Sequence, residues 1–298
     1  MRPALLGLVA VWFFWGINWP IWRYSLRDTG GVEFIALRAV VCSAILLVLM
    51  LALRRSLIPR PLGPIVLMSL LQGVGMNGLS MLAVADSGAT KATIFAYTMP
   101  FWTVLFARVV LNEEIKPRHW IAMAAGAIGL GIVAAAGGSR LADLGAAFAV
   151  AGAICWALGT VIWKWTIERY DVDPMTMVTW QNIFSILPLG IGALSLHEAP
   201  MHWTPWLAFA FSYNVLVTAV FAWFLWYWVL ERLPAVTAGM SSLAIPVVSI
   251  LTSYVFVGEH PTAPQWAGMA AMLISLAVVT LPAIGGNGRR PAAHQPVA

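Results

Sequence analysis

Apolar residues run along this chain in ten long blocks, at about 4–22, 32–53, 64–85, 91–111, 119–136, 144–164, 174–196, 205–230, 235–257 and 264–284. Each approaches the ~20 residues that a helix needs to cross the hydrocarbon of a bilayer. The breaks between them are short and rich in turn formers, among them Asp28-Thr29-Gly30-Gly31, Asp86-Ser87-Gly88, Lys116-Pro117 and Gly137-Gly138-Ser139. This pattern predicts ten spanning helices joined by tight loops. The first block could pass for the core of a signal peptide. It holds Trp12, Trp15, Asn18 and Trp19 and lacks a small-residue cleavage site, so it is expected to be retained.

Composition strengthens the prediction. Of 298 residues, 61% are hydrophobic and 10% charged, with a mean hydropathy of +0.84. Globular chains carry about 45–50% apolar and roughly 25% charged residues. A soluble enzyme, a nucleic-acid binder and a disordered tail are excluded on these figures, and ten spans leave no length for a folded extramembrane domain. The net charge of +5 does not point to nucleic acid either, because the basic residues punctuate the apolar blocks. With the N-terminus in the cytoplasm, twelve basic residues fall inside, from Arg2, Arg54 and Arg55 to Arg289 and Arg290. Five (Arg23, Arg27, Arg38, Lys91 and Arg140) fall outside. That bias predicts both termini in the cytoplasm. Cys42 and Cys155 both lie in apolar blocks and read as buried free thiols.

The sequence also repeats itself. A shift of 146 residues lays Ala89 on Ala235, Pro100 on Pro246, Glu113 on Glu259, Trp120 on Trp266 and Met123 on Met269. A shift of 141 lays Trp15, Trp22 and Arg23 on Trp156, Trp163 and Lys164. Chance matches of Ala and Leu are common in apolar sequence, but Pro, Glu and Trp in one register are not. The unit is five helices long, and five is odd, so the second copy is expected to enter the membrane from the other side. The predicted fold is all-α, with ten transmembrane helices as two inverted-topology five-helix repeats. The expected divisions are 1–138, 139–285 and a cytoplasmic tail, 286–298. Inverted repeats of this kind form substrate sites near the bilayer midplane and work by alternating access, so the architecture points to a transporter.

The residues carrying a family resemblance are Trp15-Gly16-Ile17-Asn18, Arg23 and Arg38, then Pro100, Leu111-Asn112-Glu113 and Trp120 with Gly126 and Gly129. The second copy offers Trp156, Lys164, Pro246, Gly258-Glu259, Trp266 and Gly268. In order and duplication they resemble the drug/metabolite transporter superfamily, in particular its ten-helix EamA-type exporters. The Trp-rich first helix is most similar to the bacterial aromatic amino acid exporters. The resemblance implies a multi-pass protein of the bacterial inner membrane with no cofactor. It also implies that the fifth and tenth helices support the fold more than they touch substrate.

Trp12, Trp15, Trp19 and Trp22 form one stripe on the first helix, with Asn18 beside it, and Trp156 and Trp163 repeat it in the second copy. A stripe ~15 Å long crosses the hydrocarbon, so an interfacial belt does not account for all of it. For Trp19 and Trp163, cavity lining and helix packing both stay open. Pro100 and Pro246 fall mid-span and are expected hinges. Tyr97 and Trp102 beside the first proline, and Ser242 beside the second, are candidate midplane contacts. So are Asn77 and Met81 in the third span, and Tyr213, Asn214 and Thr218 in the eighth. For these the plainer reading is hydrogen bonding between helices. Arg38 lies near a span end and is expected to snorkel as an anchor. Glu113 and Glu259 end matching helices and are expected to fix loops or gate closure.

The function expected is export of amino acids, aromatic and other apolar or neutral ones, with a broad drug or metabolite exporter as the alternative. Scarcity of central Lys and Arg argues against phosphorylated substrates, and no span centre carries Asp or Glu as an ion relay. An intramembrane enzyme would need clustered His, Asp, Glu or Cys. The five His are His119, His197, His202, His260 and His294, all in loops or the tail, so no catalytic or metal-ligating residue is named. The expected partners are a small-molecule substrate and the lipid bilayer, with no nucleic acid. The sequence is compatible with a monomer.

Overall fold

The computed structural model describes residues 2–136, 143–198, 200–258 and 260–285. Glu259 and the 286–298 segment expected as a tail lie outside the described residues. The chain is all-helical among the described residues, and ten of its helical stretches are long and apolar enough to cross a membrane. Six spans are single helices: α1 (Arg2–Ser25), α2 (Gly31–Ala52), α7 (Pro117–Ala136), α8 (Leu144–Ile167), α9 (Pro174–Leu196) and α14 (Ala263–Gly285). The other four are interrupted, two in each copy.

Local chemistry starts these helices where the breaks predict. Asp143, Asp173 and Thr204 each accept the backbone N–H three residues on, from Ala146, Thr176 and Leu207. Pro174 and Pro205 follow at first helical positions, where a missing N–H costs nothing.

The third and eighth spans are each broken by one wide π-helical stretch. α3 (Leu62–Met68) leads through Ser69–Met76 into α4 (Asn77–Ser87), and α10 (Pro205–Tyr213) leads through Asn214–Phe221 into α11 (Ala222–Arg232). Both stretches are eight residues long and sit 145 residues apart. Side chains cover carbonyls that the wider winding frees. Asn77 Nδ2 donates to Gln72 O at 2.5 Å, and Thr218 Oγ1 to Asn214 O at 2.8 Å.

The fourth and ninth spans are broken outright. α5 (Ala89–Ala96) stops before α6 (Met99–Val110), and α12 (Ala235–Ser241) before α13 (Ala244–Val257). Pro100 and Pro246 lie in the first turn after each break and remove the donors that Ala96 and Ser242 carbonyls would otherwise meet. Ile245 N–H reaches back to Ser242 O at 2.9 Å, and at the breaks Thr98 Oγ1 donates to Phe95 O and Ser242 Oγ to Gly239 O, both at 2.7 Å. The prolines thus mark discontinuities between two helical segments rather than kinks in one helix.

Packing follows the repeat. α2 lies along α9 and α7 along α14, each helix against its own counterpart. α1 packs on α11 and α13, and α8 packs on the matching α4 and α6. The α7–α14 seam is the tightest. A Cβ on Gly129 would lie 2.7 Å from Gly268 O, and a Cβ on Gly268 2.6 Å from Val133 Cγ2. Only glycine lets these backbones touch, and Ser275 Oγ adds a 2.6 Å bond to Ala122 O. Aliphatic and Phe side chains face outward, with Leu194 and Phe256 each 80% exposed. Trp156, Trp163, Trp226, Tyr97 and Tyr227 fill the centre.

The bundle has two ends: a proximal one, where α1 starts, and a distal one, where α1 finishes. At the distal end Asp143, just before α8, pairs with Lys91 near the start of α5. Glu198 accepts from Val32 N and Glu33 N at the start of α2, at 3.2 and 2.9 Å. At the proximal end Arg55 pairs with Asp173 at 4.0 Å.

Candidate functional site

The centre of the bundle is aromatic because α1, α8 and α11 turn their Trp and Tyr faces toward one another. Trp15 meets Trp156, Trp223 and Trp226 at centroid distances of 5.3, 5.2 and 5.5 Å. Such edge-on and tilted pairs are favourable beyond the area they bury. Against this cluster lies a small cavity of about 30 Å3, lined by Asn18, Trp19, Arg38, Asn77, Tyr97, Thr218 and their neighbours. At ~1.5 Å of rise per residue, Trp15, Asn77 and Trp156 sit roughly 15–18 Å from the distal ends of their helices. That is about half of a ~30 Å hydrocarbon core, so the cavity lies near the midplane.

A vestibule of about 230 Å3 leads toward it from the distal end, bordered by Arg23, Ser249, Ser253, His260 and Gln265. Trp19 lines both spaces. Its indole Nε1 donates to Tyr97 Oη at 3.1 Å, so a single Trp–Tyr pair partitions the vestibule from the midplane cavity.

At the proximal end a carboxylate ties the two copies together. Glu113, in the α6–α7 connection, accepts from Ala235 N at 2.8 Å and Val236 N at 3.1 Å. Its carboxylate therefore caps α12 and completes a helix N-terminus. Beside it Lys164 Nζ donates to Leu230 O at 2.8 Å. Burial pushes the Glu113 carboxyl above the usual glutamate range, against the pull of those two N–H groups and of Lys164.

Two broken spans, two π-wound spans and a midplane cavity between copies are what a family comparison has to explain. The family model described as EamA-like transporter matches twice, over residues 2–135 and 143–281. This chain belongs to the EamA-like transporter family. Its relatives include the Bacillus subtilis transporter YvbV, 27% identical over 93% of this chain and 91% of that one. A probable amino-acid metabolite efflux pump of Salmonella typhimurium is 24% identical over 92% and 93% of the two chains. A riboflavin transporter of Rhizobium johnstonii is 26% identical over 97% and 90%. A solved crystal structure, 20% identical, superposes with a TM-score of 0.79 over 95% of this chain and 98% of that one. The fold is therefore that of a membrane transporter, embedded through ten spans.

Among the sequence candidates in this EamA-like protein, Asn18, Trp19, Asn77, Tyr97 and Thr218 converge on the midplane cavity. Others lie apart from it. Met81 packs beneath the start of α2, beside Gly31. Trp102 stacks on Phe106 at 6.5 Å, and Tyr213 spends its hydroxyl on Phe14 O at 2.8 Å. Trp163 is fully buried and stacks on Tyr227 at 4.2 Å, which is packing rather than lining. Asn214 is buried and accepts from Trp22 Nε1 at 2.6 Å. Ser242 sits at the α12–α13 break, bonded to its own helix, while Pro246 borders the vestibule and Pro100 does not.

The expectation for Arg38 is corrected. It does not snorkel: it is 7% exposed and donates from Nη2 to Asn77 Oδ1 at 2.6 Å. Its guanidinium carbon lies 5.9 Å from the Trp22 ring centroid. Arg38 begins about two turns inside α2 and its face points at the bundle centre, where an acceptor and an aromatic face await it. Sequence reasoning also missed Trp223, Trp226 and Tyr227. Their helical spacing was the available signal, together with the 146-residue shift that lays Trp223 on Asn77 and Tyr227 on Met81.

Proposed function

We propose that this protein exports amino acids, aromatic and other apolar or neutral ones, across the bacterial inner membrane. In this reading both termini face the cytoplasm, so the proximal end is cytoplasmic and the vestibule is periplasmic. The two copies are inverted in the membrane, and exchanging the packing of one copy for that of the other alternates access to the midplane. Pro100 and Pro246 are the hinges, and the Trp19–Tyr97 pair and the Glu113 cap are the barriers that take turns.

The observation that carries the reading is the aromatic-walled midplane cavity, with a vestibule leading toward it from one end and the Glu113 tie between the copies at the other. Flat or oily side chains suit walls of Trp and Tyr. The relative named as an amino-acid metabolite efflux pump adds support. A broad-specificity drug or metabolite exporter remains the second reading, favoured by an apolar groove of about 710 Å3 between α1, α10 and α13.

The test is counterflow in liposomes. Entrapped radiolabelled Trp, Phe or Thr should leave protein-bearing vesicles faster than empty ones. Equal rates for all three defeat the amino-acid reading, and rapid exit of unrelated apolar solutes at matching rates favours the broad exporter.

A further inference from the structure

Arg38 combines features that a structural anchor does not require. It is buried at the centre of the bundle, and no carboxylate among the described residues pairs with it. Its one hydrogen bond, to Asn77, uses one of five guanidinium donors, and its Nε meets no partner. A guanidinium cannot shed its charge to escape burial, as a lysine can. A buried charge without a counter-charge is costly, so the site calls for an anion.

The same cavity holds two more orphans. Asn18 Oδ1, on a side chain 7% exposed, has no donor, and Trp156 Nε1, on a side chain 2% exposed, has no acceptor. Three buried residues offering a cation donor, a neutral donor and an acceptor thus line one small cavity, walled by Trp15, Trp156 and Trp223. An α-amino acid complements this set. Its carboxylate answers Arg38, and its ammonium answers Asn18 Oδ1 and the aromatic faces, which attract cations.

We infer that Arg38 is the carboxylate anchor of the substrate site and makes the protein select for a free carboxylate. This rests on the exporter reading and narrows its substrate class. The cavity as it stands, about 30 Å3, is one water molecule's share of the liquid. Entry of an amino acid therefore parts Trp19 from Tyr97 and joins the cavity to the vestibule.

The test uses the full-length protein in liposomes and, in parallel, calorimetric titration of the purified protein. Competitors against labelled tryptophan are tryptophan itself, tryptophanamide and tryptamine, which lack the free carboxylate, and riboflavin, a flat solute without one. Loss of a charge-assisted hydrogen bond to a buried partner predicts a preference of roughly 10–100-fold for tryptophan over the amide and the amine. In Arg38→Gln that preference should collapse to within about twofold because tryptophan binding weakens, with tryptamine binding no weaker than in the wild type; Arg38→Lys should restore part of the preference. A purely structural Arg38 would instead weaken all four solutes alike. If wild-type protein moves tryptophan yet binds tryptamine or tryptophanamide equally well, the anchor is overturned and the exporter reading survives. If it moves none of the solutes, the exporter reading fails. The titration then still decides the anchor, which falls if tryptophan binds no better than tryptamine. The wild-type panel stands even where Arg38→Gln does not fold.

Discussion

The two ends of the bundle are tied by carboxylates that sit in opposite surroundings. At the proximal end Glu113 is half-buried, caps α12, and has its carboxyl pushed up by burial. At the distal end Asp143 is open to solvent, and its carboxyl is held below the usual aspartate range, by the Lys91 ammonium first and then by Ala146 N–H. The proximal tie joins the α6–α7 connection to the start of α12, across the two copies. The distal tie joins the start of α8 to the start of α5, again across the copies. At either end one copy thus completes a helix terminus or ion pair of the other, and the two ties respond to different chemistry.

The largest expected effect comes from removing the proximal tie. Glu113→Ala leaves two first-turn N–H groups of α12 without acceptors, a loss of about 1–2 kcal/mol. That corresponds to a roughly five- to thirty-fold shift toward the open proximal end. Hydrogen exchange at Ala235 and Val236 should speed up by that factor while Gly145 and Ala146 at the distal end stay put. Equal acceleration at both ends would mean that the ends are not independent.

A smaller change follows from Trp19→Ala, which removes the partition beneath the vestibule and one aromatic wall. The KM for tryptophan counterflow should rise two- to tenfold, the worth of one aromatic contact. An unchanged KM takes Trp19 out of the wall.

The smallest effect is the response to pH, and its sign separates the ends. A carboxyl raised by burial holds its proton more tightly in the closed end. Proximal closure is therefore favoured as pH falls toward the ordinary glutamate value of 4.5, and the advantage is lost as pH rises through the raised value. For Asp143 the contribution is full above the ordinary aspartate value of 3.8 and is lost as pH drops through the depressed one. Acidification should thus slow exchange at Ala235 and Val236, corrected for intrinsic rates, and speed it at Ala146, whose N–H Asp143 accepts. Glu113→Gln should abolish the first response and leave the second; parallel responses would refute the opposed tuning.

Much of this architecture was legible in the sequence. Apolar block length found the ten spans, because lipid forces every backbone group into internal bonds. Pro100 and Pro246 located the breaks, since a missing N–H has the same consequence in any tertiary setting. Gly129 and Gly268 stood among the residues carrying the resemblance, in two helices expected to support the fold, and they meet at the tight seam. What escaped the sequence depends on azimuth. The π stretches are only half marked: Gly73 and Gly75 permit local unwinding in the first, while nothing in Asn214–Phe221 signals the second, because one residue added to a turn alters winding and not polarity. Trp163 and Trp19 look alike in sequence, yet one stacks on Tyr227 and the other borders two spaces. Arg38 was misjudged because distance to a span end predicts reach and not direction.

The glycine seam has an evolutionary corollary. Nothing in the lining of the midplane cavity comes from α7 or α14. The two helices most firmly fused are thus the two with no stake in what the cavity holds. Mutational drift in α1, α2, α4, α8 and α11 can retune selectivity while the seam keeps the scaffold intact. The same division means that a library randomised at the seam positions Ala122, Gly129 and Gly268 would report on folding alone. One built on the cavity walls would report on diet.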